Sequence, residues 1–141
     1  LEQRGLLDST LLIVTTDHGT NLGSHRTDFW GKKLPWEENV KVPMVAYLQG
    51  VFEGGGRRDT LTAPVDLLPT LCGLCGIPVP RTVEGHDLSA SWKGEADSFE
   101  QDAVYLMNFT KGYDYLADGG EWRGLRWLWC WALLCRCFSG L

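Results

Sequence analysis

Leu11-Leu12-Ile13-Val14-Thr15-Thr16 runs without a charge and stops abruptly at Asp17-His18-Gly19. An unbroken, β-favouring apolar run followed at once by Asp-His-Gly reads as a buried strand that delivers polar groups at its carboxyl end. In open α/β sheets, ligands and metals collect at the carboxyl edge of the strands. The polar trio therefore marks the first place to look for chemistry, and α/β is the fold class it predicts.

The downstream pattern supports that class. Gly5 followed by Asp8-Ser9 reads as a helix stop and a turn feeding the strand at 11–16. Residues 19–39 form a long connection with little periodicity, and long ordered loops of this kind tend to carry function. Val40 to Leu48 reads as a second strand with Pro43 near its start. After a glycine-rich linker, Ala63-Pro64-Val65-Asp66 opens a helix that runs to about Cys75 and stops at Gly76. A Pro-rich loop over 77–85 and a helical turn at 88–92 follow. Val104 to Phe109 and Glu121 to Arg126 read as two strands joined through the turn Asp118-Gly119-Gly120, a small antiparallel unit appended to the α/β core.

A length of 141 residues suits one ordinary domain with a real core. The net charge of −5, with basic residues scattered apart from Lys32-Lys33 and Arg57-Arg58, argues against a nucleic-acid partner. Cys72 and Cys75 form a C-x-x-C inside the apolar helix, where small thiols are expected to pack in the core rather than bind metal. From Trp127 to Phe138 the chain packs three tryptophans with Cys130, Cys135 and Cys137. That stretch is too short, and too interrupted by Arg126 and Arg136, for a membrane span. It resembles neither a solvated helix nor an amphipathic strand, and a changed reading frame or aberrant terminus near 126 is the expectation. The opening Leu1-Glu2-Gln3-Arg4 lacks an initiator Met and reads as the end of a helix. The expectation is a piece of a longer protein, with any leader upstream and the localisation unknown.

The chemistry-bearing residues are few. An Asp just past a strand can hold a divalent cation through its carboxylate, and a neighbouring His can ligate it or contact an anionic substrate. Gly19 is expected to let the backbone turn away sharply. Lys32, after Gly31, lies in a loop that can fold back and add positive charge for a sulfate or phosphate. On these residues alone a metal corner and a capped turn stand as equal readings. His25 and His86 read as structural or solvent-exposed, and Glu37-Glu38 as capping or salt-bridging acids.

Thr16-Asp17-His18-Gly19, Leu22-Gly23-Ser24-His25, Trp30-Gly31-Lys32, Pro35-Trp36-Glu37-Glu38 and Val42-Pro43 together resemble the sulfatase family, in its order and at similar spacing. Val65-Asp66-Leu67-Leu68-Pro69-Thr70, Gly76-Ile77-Pro78, Glu84-Gly85-His86-Asp87-Leu88 and Glu121-Trp122-Arg123-Gly124-Leu125-Arg126 continue the likeness to about residue 126. Trp36 stands where a tyrosine is commoner, and Lys33 sits one residue past the lysine motif.

The resemblance implies a partial alkaline-phosphatase-like sandwich, mostly parallel, with flanking helices. Residues 1–100 would be the C-terminal part of the catalytic domain, 101–126 an antiparallel subdomain segment and 127–141 an atypical tail. It implies metal ligation by Asp17 and His18, and sulfate contact or catalysis by Lys32 and His18. The expected cofactor is a divalent cation, Ca²⁺ first, with Mn²⁺ or Mg²⁺ as alternatives. The expected substrate is a sulfate ester, as a small molecule or sulfated glycan; a phosphonate or phosphodiester hydrolase and a non-catalytic remnant are the alternatives. The family nucleophile is a formylglycine made in a C-x-P-x-R or S-x-P-x-R motif, and neither motif occurs in this chain. The family's first aspartate pair is also absent, so the expectation is a chain inactive alone.

Overall fold

The computed structural model describes residues 1–26, 29–32, 34–52, 55–95, 98–108 and 122–127, and the backbone alone of 131–134. The described chain divides between two compact units. One draws on the described residues within Leu1–Phe52, Leu106–Gly124 and Leu133–Leu141, the other on those within Glu53–Tyr105 and Leu125–Ala132.

In the first unit, single 3₁₀ turns at Glu2–Arg4 and Leu7–Ser9 lead into strand β1, Leu12–Val14. One helical turn, α1, spans Glu37–Val40, and strand β2 spans Val45–Tyr47. β1 and β2 pair antiparallel, with Leu12 opposite Tyr47, Ile13 opposite Ala46 and Val14 opposite Val45. This corrects the expected parallel arrangement for these strands. A parallel pair needs a crossover of a dozen or more residues, usually a helix. Between β1 and β2 the described chain offers only a 3₁₀ turn and the four-residue α1, and it returns in the opposite direction.

The expected burial of β1 is also corrected. Val14 and its partner Val45 are 72% and 65% exposed. These two residues stand directly opposite each other, so they share an exposed face of this two-stranded sheet. The second strand is shorter than expected as well. Glu37 and Glu38 fall in the first turn of α1, where carboxylates favour the positive end of the helix dipole, and the helix takes up Val40.

The second unit is built on α2, Pro64–Cys75, and α3, Ser89–Lys93. Pro64 occupies a first-turn position whose missing N–H costs nothing, and Gly76 ends the helix at φ 66°, a left-handed conformation that suits glycine. Its core holds Cys72, Leu74, Leu88, Trp92 and Val104. Cys72 packs as expected, but Cys75, in the last turn, is exposed.

Asp66 organises this unit. Its carboxylate is 1% exposed and accepts hydrogen bonds from Ala63 N (2.7 Å), His86 N (2.9 Å) and Gln101 Nε2 (2.6 Å). One turn on, the fully buried Thr70 hydroxyl accepts from Leu88 N at 3.0 Å. Pro69, inside α2, cannot donate to the Val65 carbonyl one turn back. Gly85, at φ 93°, lies against that same carbonyl, where any side chain would collide with it.

Strands β3 (Ala103–Asn108), β4 (Trp122–Trp127) and β5 (Trp131–Leu134) form a second sheet in that order. The predicted turn at Asp118-Gly119-Gly120 lies outside the described residues. So does most of the Trp- and Cys-rich tail, including Cys130, Cys135 and Cys137. Among the described residues no helix is long and apolar enough to cross a membrane.

Candidate functional site

β1 ends at Val14, and the next residues anchor the turn that follows. Thr15 Oγ1 donates to Pro43 O at 3.1 Å, holding the strand exit against the segment before β2. Thr16 Oγ1 lies 3.2 Å from His18 O and 3.3 Å from Asp17 Oδ1. The backbone N–H of His18 also donates to Asp17, reaching Oδ1 at 3.0 Å. These are local bonds, and the Asp17 side chain stays 84% exposed.

Gly19 fixes the direction of the corner. Its N–H donates to Asn39 O at 2.9 Å, bringing its backbone so close to α1 that a Cβ would collide with the Glu38 carbonyl. The glycine is required here by close approach and not by a left-handed φ, which corrects the reason expected for it.

His18 Nδ1 lies 2.8 Å from Gly19 O, and Nε2 lies 3.0 Å from Lys32 Nζ. A carbonyl can only accept and an ammonium can only donate. In its neutral form the ring therefore carries its proton on Nδ1 and turns the Nε2 lone pair toward Lys32. Asp17 Oδ2 is 3.6 Å from the same Nε2. Asp17, His18 and Lys32 thus converge on one exposed corner, while Lys33 lies outside the described residues.

The long connection reaches the corner through a backbone bond, Asn21 N to Gly31 O at 2.9 Å, that seats Gly31-Lys32 beside the His18 turn. Nearby, His25 stacks on Trp36 with ring centroids 4.3 Å apart and pairs with Glu38 at 3.2 Å. His25 and Glu38 are thereby structural, as the sequence suggested. Asn21 and Asn39, buried at 2% and 4% exposure, were not singled out from the sequence. An asparagine in an unpatterned loop carries no periodic signal, so only the fold shows what it joins.

Both acids of the site region titrate below their ordinary values. For Asp17, partial desolvation pushes the carboxyl up, and it is outweighed by the His18 ring and by hydrogen bonds from backbone N–H groups and the Thr16 hydroxyl. For Glu38, its own backbone N–H is the largest stabilising influence, desolvation opposes it, and His25 and Ser24 add further support.

The donor set suits part of a divalent-cation shell: a hard, ionised carboxylate on Asp17 and the single His18 lone pair, on Nε2, which a cation would take over from Lys32. Among the described residues no cluster of three or more His, Cys, Asp or Glu side chains could complete such a shell. His86, in the other unit, pairs with buried Asp66 at 3.7 Å and stacks obliquely on Phe99 at 4.9 Å. That accounts for it structurally.

Comparison with known proteins identifies the family. The family model described as Sulfatase matches residues 1–77, more than half of the chain. The ulvan-active sulfatase of Formosa agariphila is 31% identical over 122 residues, covering 82% of this chain and 23% of that protein. A solved structure described as a complex with its substrate D-glucosamine-2-N,6-O-disulfate aligns with a TM-score of 0.74 at 27% identity, over 91% of this chain and 26% of the other. The phosphonate monoester hydrolase of Silicibacter pomeroyi aligns with a TM-score of 0.69 at 23% identity, over 99% of this chain and 31% of the other, a likeness of fold. The chain belongs to the sulfatase family, whose fold is alkaline-phosphatase-like. It spans about a quarter of the length of the relatives it matches.

Proposed function

We propose that this chain carries one side of a sulfatase active site, in which Asp17 and His18 hold a divalent cation and Lys32, with His18, contacts the sulfate group. The observation that carries this reading is the 3.0 Å approach of Lys32 Nζ to His18 Nε2 beside the exposed Asp17 carboxylate. A cation held there, Ca²⁺ first and Mn²⁺ or Mg²⁺ as alternatives, would supply Lewis-acid polarisation of an ester oxygen. Lys32 adds a second positive charge to an anion whose charge rises during ester cleavage. His18 offers one lone pair, on Nε2, whose direction is set by the Nδ1 bond to Gly19; a cation bound there would take it from Lys32 and leave the ammonium donors free to turn to the sulfate.

Sulfate monoesters, including those of sulfated glycans, are the proposed substrate class, in keeping with the names of the relatives. Phosphonate esters are the second reading, favoured by the fold shared with the phosphonate monoester hydrolase. The residues present do not supply the family nucleophile, because the chain contains no C-x-P-x-R or S-x-P-x-R. Turnover of an aryl sulfate by these 141 residues alone is therefore expected to be nil.

The site reading itself is tested by titrating the chain with inorganic sulfate in the presence of Ca²⁺ and following the amide resonances. Shifts centred on 17–19 and 31–32 that vanish in Lys32→Ala support the assignment. A wild-type response that survives in Lys32→Ala, or centres elsewhere, rejects it.

A further inference from the structure

Three segments meet at the corner, and one residue ties two of them to the third. Asn39 lies in α1, 4% exposed. Its backbone carbonyl accepts the Gly19 N–H at 2.9 Å, which holds the Asp17-His18-Gly19 turn. Its side-chain Nδ2 donates to Leu34 O at 2.7 Å, which holds the loop two residues past Lys32. The same residue thus grips both partners of the His18–Lys32 contact from behind, without touching either functional group.

We propose that Asn39 is a positioning residue that sets the distance between the Asp17–His18 corner and Lys32. The inference rests on reading that corner as the anion and cation site. The other end of the amide argues for a role beyond stability. Asn39 Oδ1 is buried and has no hydrogen-bond partner among the described residues. A buried acceptor without a donor is a cost, and an apolar side chain of the same size avoids it. What an apolar residue cannot do is hold Leu34 O. The amide's use therefore lies in the bond that spaces the lysine loop, and Asn39 is the point where loss of geometry and loss of stability come apart.

Asn39→Leu separates the two. It keeps the side-chain volume, removes the orphaned acceptor and removes the donor to Leu34. The variant trades the orphaned Asn39 Oδ1 for an unpaired Leu34 carbonyl and is therefore expected to melt close to the wild type. Its His18 ring ¹⁵N shifts are expected to move away from the Nδ1–H pattern that the Lys32 contact imposes, and its affinity for inorganic sulfate to fall about tenfold, since supporting bonds hold site geometry to fractions of an ångström.

A folded Asn39→Leu with unchanged ring shifts and unchanged sulfate affinity overturns the proposal. Should that variant fail to fold, Asn39→Ser, which keeps a polar group but shortens the reach to Leu34, must show the same two changes, and unchanged readings in it are equally fatal. If the wild type binds no sulfate yet Asn39→Leu still alters the ring shifts, the positioning role stands and the sulfate reading fails. The two can therefore be told apart.

Discussion

Two aspartates, each within a segment that resembles the family, are treated in opposite ways by the fold. Asp66 is 1% exposed and its carboxylate is spent on donors 3, 20 and 35 residues away in sequence. Asp17 leaves its side chain 84% exposed and, among the described residues, is hydrogen-bonded locally, by its own backbone, Thr16 and His18. A carboxylate surrounded by protein donors is a structural latch; one held in place locally, with open faces, is available to a ligand. The surroundings, more than the residue type, separate fold from chemistry in this chain.

The largest expected effect tests the latch. Asp66→Ala strands three donors inside the second unit and is expected to cost about 3 kcal/mol in urea unfolding, from the penalty of buried unpaired groups. Asp17→Ala, measured alongside, is expected to leave the unfolding midpoint unmoved. Equal effects at the two positions would erase the contrast.

A smaller loss is expected at Gly85. Alanine there would meet the Val65 carbonyl and would have to hold φ 93°, so a cost of about 2 kcal/mol is expected from the collision and the strained backbone together. Thermal unfolding measures it. A neutral Gly85→Ala would mean that the loop does not pack on α2 as described.

The smallest effect concerns acid stability of the site region. Glu38 titrates below its ordinary value of 4.5, so its contribution is fully present above that value and is lost as pH falls through its lower, folded value. The stability difference between wild type and Glu38→Gln should therefore be constant at neutral pH and shrink only in the acid range below the ordinary value. A difference that grows on acidification would reverse the sign and refute the hydrogen bonding, first from its own backbone N–H and then from His25 and Ser24, that lowers the Glu38 titration.

Much of this was legible in the sequence. α2 was placed within a residue at its start and at Cys75 at its end, because Pro64 and Gly76 punctuate an apolar helical run. Asp17, His18 and Lys32 are singled out by short motifs in a fixed order, and the structure brings these three side chains to one corner. The direction and burial of β1 were not legible. An apolar run specifies a strand, but its partner and its cover depend on residues distant in the chain. Asn39 was missed for a similar reason: its value lies in two bonds to segments that the sequence gives no cause to place beside it.

The central claim is that the Asp17–His18 turn is a cation corner facing Lys32. Paramagnetic broadening by Mn²⁺ tests it at low occupancy, in wild type and in Asp17→Asn. Resonances of Asp17, His18, Gly19 and Lys32 should broaden first, and the broadening should be lost in Asp17→Asn with the rest of the spectrum unchanged. Broadening that begins at other carboxylates, or that persists undiminished in Asp17→Asn, would contradict the account.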